Sequence, residues 1–207
     1  ELVAGDTLLT THSRDRADLV GDETDLHWRN FLMLGLAIDT RDFLPNPREG
    51  VLAEYTLDLA SSILGSDYEY VRQTMSARGY YTFFDSLTLV GRLAMTNATD
   101  DVPFYTMGQL SLFEDRQEGL GGYRTARGFK KGRFLGHAFT VLQTEARYFV
   151  GDIDVVGQLF GLQLIAFAEA GNVYDSLGDA LGDPRFGEMK ASYGGGIAIP
   201  WNLNTII

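Results

Sequence analysis

The chain has 207 residues, of which 45% are apolar and 12% aromatic, so it is long and apolar enough to bury a sizeable core and is not intrinsically disordered. Its formal net charge of −11 argues against nucleic acid as a partner, because phosphate binding needs a basic face. It has no cysteine and no run of about 18 apolar residues, so neither a disulfide, a thiolate metal site nor a transmembrane helix is predicted.

The first part of the chain changes from charged to alternating sequence. Residues 1–11 are predicted to be the end of a strand, and the charged residues 13–25 a solvated loop. From residue 27 to about residue 41 polar and apolar residues alternate, which predicts a long strand because helical spacing would mix the two sets. One face of this strand carries the large apolar residues Trp28, Leu32, Leu34, Leu36 and Ile38. Two prolines and a glycine then predict a turn over residues 42–50.

The same alternation recurs along the rest of the chain. Further strands are predicted over residues 54–63, 68–83, 85–97, 138–150, 156–174 and 188–200. Turn-forming residues predict connections at residues 65–67, 178–187 and 201–204, and residues 205–207 begin one more strand. Between residues 99 and 137 the alternation stops, which predicts one long loop.

Two properties of these strands favour an all-β, antiparallel transmembrane β-barrel with a polar lumen. The predicted strands are about 13–17 residues long, well above the usual globular length of about 5–6. Each strand also has one apolar face and one face of charged and hydroxyl side chains. In a membrane barrel the apolar face contacts lipid and the polar face lines the lumen. A soluble lipocalin-like barrel or sandwich is the alternative. Aromatic residues near strand ends are predicted to form interfacial girdles: Trp28, Tyr80, Tyr81, Phe83, Phe84, Tyr148, Phe149, Tyr174 and Trp201.

The long loop concentrates positive charge in an acidic chain. Its tip carries Arg124, Arg127, Lys130 and Lys131 within a glycine-rich stretch. Loops of this length inside a compact domain are usually functional or disordered. A basic tip fits an acidic partner, which includes the polar interior of the protein itself, and the alternative is a solvated surface loop.

Five short motifs follow one another along the chain in a fixed order. They are Asp39-Thr-Arg-Asp42 with Pro47-Arg-Glu-Gly50; Pro103-Phe-Tyr105, Gly121-Gly122 and Arg127-Gly-Phe129; Glu145-Ala-Arg147; Phe167-Ala-Glu-Ala-Gly171; and the glycine-rich residues 194–199. This series resembles the BamA/TamA-type outer-membrane assembly and translocation barrels, also called bacterial surface antigens. The resemblance covers the chain from about residue 38 to its end.

The resemblance implies one partial barrel domain over residues 1–207, lacking the early strands and about two C-terminal strands. It implies that residues 99–137 form an extracellular loop that folds into the lumen. There Arg127 would pair with Glu145, Glu169 or both, supported by Gly128, Phe129, Phe167 and Gly171; we call these seven residues the loop lock. It further implies a periplasmic turn that contains Asp39, Arg41, Asp42, Pro47 and Gly50. Two residues depart from the family pattern: Ala126 replaces a β-branched residue, and Glu169 replaces an aspartate.

The implied function is non-enzymatic. A barrel of this type resides in the outer membrane of a Gram-negative bacterium and inserts outer-membrane proteins or moves protein or lipid across. Its implied partners are membrane lipid, nascent outer-membrane proteins or a second copy of itself, without a cofactor. The alternatives are an anchor or secretion pore for a separate hydrolase or passenger domain, and a passive porin-like channel. Catalytic residues and a metal site are not expected, because no two of His12, His27 and His137 have metal-ligand spacing.

Overall fold

The computed structural model of the protein describes residues 27–99, 101–113, 116–117, 119–182, 188–202 and 205–206. These ranges contain eleven strands: β1 (Phe31–Asp39), β2 (Gly50–Ala60), β3 (Tyr70–Phe83), β4 (Leu87–Ala98), β5 (Leu110–Ser111), β6 (Arg116–Gln117), β7 (Ala138–Val155), β8 (Gln158–Tyr174), β9 (Lys190–Ala198), β10 (Pro200–Trp201) and β11 (Thr205–Ile206). They also contain one α-helix, α1 (Leu177–Gly182), and two 3-10 turns, Ser62–Leu64 and Phe104–Thr106. The strand and loop predicted before residue 27 lie outside the described residues.

Nine of the strands form one antiparallel sheet, which confirms the predicted all-β class. Neighbours in the sheet follow chain order from β1 to β4, then β7 and β8, and β8 pairs along its other edge with both β9 and β10. Strand β11 pairs antiparallel with β10. The small strands β5 and β6 form a separate pair inside the long connection between β4 and β7. Among the described strands, the two edges of the large sheet do not pair with each other.

Local hydrogen bonds explain where strand boundaries differ from the prediction. The second predicted strand stops at Ala60 because Ser61 caps a 3-10 turn that Gly65 ends in a left-handed conformation. Strand β7 runs on to Val155, with a bulge between Phe149 and Gly151, so its connection to β8 shifts to residues 156–157.

The connection predicted at residues 178–187 contains helix α1. Its start is fixed by Ser176, whose hydroxyl accepts from the amide of Asp179 at 3.2 Å and donates to the carboxylate of Asp179 at 2.7 Å. This reciprocal cap is a sequence signature of a helix N-terminus that the turn-like composition obscured. No helix in the described part of the chain is long and apolar enough to cross a membrane.

The sheet buries its polar face and exposes its apolar face, which is the opposite of a soluble sandwich. On the apolar face Leu34 is 50% exposed and Leu36 is 77% exposed. On the polar face Thr56, Arg72 and Thr74 are each at most 2% exposed. An apolar outer face over a buried polar one is what a sheet needs when lipid covers one side and a polar interior the other.

The exposure of the aromatic side chains contradicts the predicted girdle at two positions. Trp28, Tyr81 and Phe84 are exposed, as a girdle requires. Tyr80 and Tyr174 are instead 7% and 6% exposed, because both lie beneath other parts of the protein. The guanidinium of Arg147 lies 5.9 Å from the centre of the Tyr80 ring, and Tyr174 packs in a small cluster with Ala138 and Ala180.

The main apolar core lies between the long loop and the polar face of the sheet. Its buried members are Ala94, Leu110, Leu112, Leu120, Ala126, Phe139 and Val141, with Phe129, Phe134 and Val173 packed against them. Hydrogen bonds support the same contact: Thr56 donates to the carbonyl of Ser111, and Thr96 donates to the carbonyl of Gln109. The loop between β4 and β7 therefore packs on the sheet, in contrast to the alternative of a solvated surface loop.

Leu34→Arg tests the facing of the sheet. Because Leu34 lies in the middle of β1 on the apolar face, a charge there should lower the free energy of unfolding in bilayers by about 2–4 kcal/mol. Leu34→Ala serves as the control, since it removes volume without adding charge. Equal stability of the two variants in urea titrations of the bilayer-inserted protein would contradict lipid contact at this face.

Candidate functional site

The carboxylate of Glu169, on β8, is the buried centre of the site. Its side chain is fully buried and accepts hydrogen bonds from three other segments. The main-chain nitrogen and Nε of Arg127 donate at 2.6 and 2.7 Å, Gln143 Nε2 donates at 2.9 Å, and Ser192 Oγ donates at 3.1 Å. A charge this deeply buried needs such donors to offset its lost hydration. Glu169 therefore links the loop, β7, β8 and β9 at one point.

Arg127 binds two carboxylates at once. Its Nε contacts Glu169 Oε1 at 2.7 Å, and its Nη1 contacts Glu145 Oε2 at 2.8 Å. The register of β7 and β8 pairs Gln143 with Glu169 and Glu145 with Phe167, which places the two carboxylates diagonally on one face. The guanidinium also lies 3.8 Å from the centre of the Phe167 ring, a cation–π contact. A planar fork of donors fits this arrangement, whereas a lysine ammonium would not.

Two glycines allow the loop to approach the sheet closely. A Cβ on Gly128 would lie 2.6 Å from Ser192 Cβ, and one on Gly171 would lie 2.7 Å from the carbonyl oxygen of Thr140 and 2.8 Å from Leu120 Cδ1. Real Cβ atoms essentially never approach other heavy atoms this closely. The positions therefore require glycine for contact, and neither has the positive φ that would require it for backbone conformation.

The remaining residues of the loop lock pack beside these contacts. The ring of Phe129 lies edge-to-face on Phe134 with 5.2 Å between the ring centres, inside the apolar cluster under the loop. A Cβ on Gly194 would lie 2.8 Å from Phe167 Cζ, so the glycine-rich strand β9 leaves room for that ring. Ala126, the departure from the family pattern, is fully buried in the same cluster.

Glu145 connects this site to the turn between β1 and β2. Its Oε1 accepts from Arg147 Nε at 2.6 Å, and Arg147 Nη1 donates to Asn46 Oδ1 at 3.2 Å. Asn46 belongs to the connection after β1, 101 residues from Arg147. A continuous series of polar contacts thus runs from the turn through Arg147 and Glu145 to Arg127 in the loop.

The turn itself is ordered by its two aspartates. Asp39 accepts from Arg41 through both carboxylate oxygens, at 2.8 to 3.1 Å. Asp42 Oδ1 accepts from the amides of Arg48 and Glu49 at 2.9 and 3.2 Å. Burial raises the pKa of the Asp42 carboxyl, but these amides lower it more, so its pKa lies below the ordinary value.

Pro47 and Gly50 both occupy confined positions in this turn. Pro47 is buried, and Gly50 has φ +103, where an added Cβ would collide with the carbonyl of Thr40. A residue with a side chain would be strained at position 50, both by the positive φ and by the collision of its Cβ with Thr40. The turn is joined to the loop lock by Asn46, whose partner Arg147 binds Glu145.

A second contact holds the first half of the loop. Arg72, on β3, is 2% exposed and donates through Nη2 to the carbonyl and the hydroxyl of Thr106, at 2.9 and 3.0 Å. Arg72 Nη1 lies 3.6 Å from Asp58 Oδ2 on the neighbouring strand, and Asp58 is 1% exposed. Arg72 therefore holds the loop near its start, and Arg127 holds it near its end.

The structure adds four residues that sequence reasoning did not place in the site: Gln143, Arg147, Ser192 and Asn46. The strand period predicts that Gln143 and Arg147 share a face with Glu145, but it does not predict the contacts that they make. Nothing local marks Ser192 or Asn46, whose contacts depend on the packing of distant segments. No group of three or more side chains suited to hold a metal ion occurs within the described ranges.

Comparison with known proteins gives one clear match. A family model described as the Omp85 superfamily domain matches residues 7–204. This match confirms, at the level of the superfamily, the resemblance to BamA/TamA-type barrels. No curated protein matches the chain significantly.

Asp42→Ala tests the turn. The change removes the acceptor for two turn amides and should lower the free energy of unfolding by about 1 kcal/mol at neutral pH. Because the folded state lowers the pKa of Asp42, its stabilisation is present above about pH 4 and is lost as the pH falls through the lower folded-state pKa. The difference between wild type and variant should therefore shrink in acid. A difference that is absent at neutral pH, or constant across this range, would contradict the assignment.

Gly128→Ala tests the close approach of the loop. The added methyl should lower the free energy of unfolding by about 1–3 kcal/mol, because the nearest atoms all belong to Ser192. Ser192→Gly should relieve the clash, so the double variant should be less destabilised than the sum of the single changes. Gly79→Ala is the control, since nothing lies within 4 Å of its added Cβ. Additive effects of the two changes would show that Gly128 and Ser192 are not in contact.

Proposed function

Because this chain belongs to the Omp85 superfamily, we propose that it forms part of an outer-membrane β-barrel of the BamA/TamA type that inserts and assembles outer-membrane proteins. Superfamily members are outer-membrane proteins that insert or translocate other proteins, and they are not enzymes. The observation that carries the finer proposal is the double ion pair of Arg127 with Glu145 and Glu169, which fixes the long loop on the polar face.

The arrangement of connections supports a barrel that spans the membrane in one orientation. At one end of the sheet the strands are joined by residues 84–86 and 156–157 and by the ordered turn before β2. At the other end lie the connections of residues 61–69, 99–137 and 175–189, and the last two are the longest in the sheet. Outer-membrane barrels have short periplasmic turns and longer extracellular loops. On this basis the turn with Asp39 and Asp42 is periplasmic and residues 99–137 are extracellular.

In this proposal the loop lock keeps the extracellular loop inside the lumen. The loop covers the polar face with an apolar core and with arginine contacts that include those of Arg72 and Arg127. A loop held in this way narrows the lumen, which does not favour a passive porin-like channel. The loop instead couples the extracellular side to the periplasmic turn through the contacts of Arg147 and Asn46. The proposed partners are membrane lipid and either nascent outer-membrane proteins or a second copy of the chain.

Arg127→Ala tests this role. The change leaves Glu145 and Glu169 inside the protein without their shared cation, which in a dry site costs about 3–5 kcal/mol and in a hydrated lumen less. We expect a folded barrel with a mobile loop and lost insertion of a nascent outer-membrane protein into proteoliposomes. Glu169→Gln should have a weaker effect of the same kind. Glu169→Asp should be nearly silent, because the family uses aspartate at this position.

The matched control for this test is Lys130→Ala, which removes an exposed cation from the same loop. Protease sensitivity of the loop and insertion activity are measured together on the full-length protein. Arg127→Ala with a protected loop and full activity would overturn the proposal. A mobile loop with full activity would show that Arg127 holds the loop in place but that this contact is not needed for insertion.

A further inference from the structure

One part of the long loop, residues 109–113, lies across the polar face of the sheet, and we call it the crossing segment. Thr96 on β4 donates to the carbonyl of Gln109 at 3.2 Å. Thr56 on β2 donates to the carbonyl of Ser111. Because β3 lies between β4 and β2 in the sheet, the segment passes over three neighbouring strands.

The end of the crossing segment is held on β2 and β1. The amide of Phe113 donates to Glu54 Oε1, on β2, at 3.0 Å. The ring of Phe113 lies close to Gly35 of β1, since a Cβ added to Gly35 would be 2.7 Å from Phe113 Cζ. The hydrogen bonds along the segment join side chains of the sheet to main-chain groups of the loop. Nearly any sequence can supply such main-chain groups.

The side chains of the crossing segment contribute at alternate positions. Leu110 and Leu112 are buried in the apolar cluster that contains Phe139 and Val141. Ser111, between the two leucines, is also buried, but its hydroxyl has no hydrogen-bond partner among the described residues. The groove in the sheet therefore recognises a main chain and two apolar side chains at a spacing of two. Main-chain hydrogen bonds combined with pockets for alternate side chains are a general mode of binding extended peptides.

The same wall offers an acceptor that the crossing segment does not use. Asp58 lies two residues from Thr56 on the same face of β2 and is buried. Its carboxylate accepts no hydrogen bond from the described residues, and Arg72 Nη1 lies 3.6 Å from it. Buried polar groups in proteins are nearly always hydrogen-bonded. A ligand with a donor at this position would thus satisfy the wall more completely than the loop does.

We propose that this groove on β2, β3 and β4 binds an extended segment of a client polypeptide, and that the crossing segment occupies it as an internal competitor. The inference rests on the proposed function, because the clients are nascent outer-membrane proteins. Their strands alternate apolar and polar residues, which is the pattern that Leu110, Ser111 and Leu112 present to the groove. Because the wall contacts main-chain groups, a client strand can replace the crossing segment without sharing its sequence.

Fluorescence anisotropy on the full-length protein in nonionic detergent tests this groove. The probe is a labelled octapeptide with the sequence of residues 106–113, and the control peptide has the same composition with its two leucines adjacent. The probe should bind Arg127→Ala saturably and at least about tenfold more tightly than it binds wild type, because the released loop competes less for the groove. Leu112→Ser should also strengthen binding, since it loosens the crossing segment and leaves the loop lock unchanged.

Variants of the wall locate the binding site. In the Arg127→Ala protein, Thr56→Val and Thr96→Val each remove one donor to the main chain of the probe and should weaken its binding about fivefold. Thr88→Val is the matched control, because Thr88 is a buried threonine on the same face of β4 and contacts Thr82 at 2.9 Å. This control should leave the affinity for the probe unchanged.

Three results would overturn the inference: no binding of the probe to either released variant, equal binding of the two peptides, or equal affinities of the wall variants and Thr88→Val. Insertion of a nascent outer-membrane protein into proteoliposomes is measured in parallel. Failure of peptide binding with insertion intact overturns the groove alone. Absence of insertion activity in the wild-type protein overturns the proposed function and leaves the measured peptide binding as it stands.

Discussion

The fully buried carboxylate of Glu169 is the constraint on which the site depends. A charge without hydration inside a protein must be satisfied by donors, and here they come from the loop, from β7 and from β9. The loop cannot leave its place without removing two of these donors, both from Arg127. The hydrogen bonds of this one carboxylate therefore hold the later part of a loop that has little regular structure of its own.

The second carboxylate, Glu145, extends this constraint across the sheet. It shares Arg127 with Glu169 and binds Arg147, which in turn reaches Asn46 in the turn after β1. Hydrogen bonds that follow one another in a chain polarise each other, so the contacts of this series strengthen one another. These contacts join the loop to the turn at the opposite end of the strands through a continuous series of polar side chains.

The reversed burial of the sheet explains why these polar contacts are possible. In a soluble sandwich the side chains between layers are apolar, whereas here Thr56, Arg72 and Thr74 are buried and Leu34 is half exposed. The polar face can then hold ion pairs, while the loop brings its own apolar residues, such as Leu110 and Leu120, to complete a core against Phe139. The loop thus makes ion pairs with this face and also packs apolar side chains against it.

The sequence by itself determined the main strands and their two faces, and its resemblance to a family indicated the charged members of the loop lock. Alternation is a local property of the pleat, so a period of two identifies which side chains share a face, as it did for Glu145 and Glu169. Ser192 and Asn46 could not be found this way, and Tyr80 was assigned to the wrong environment, because their surroundings are created by segments far away in the chain. Only the tertiary structure decided these contacts, since they depend on how a long connection packs, and no local pattern encodes that packing.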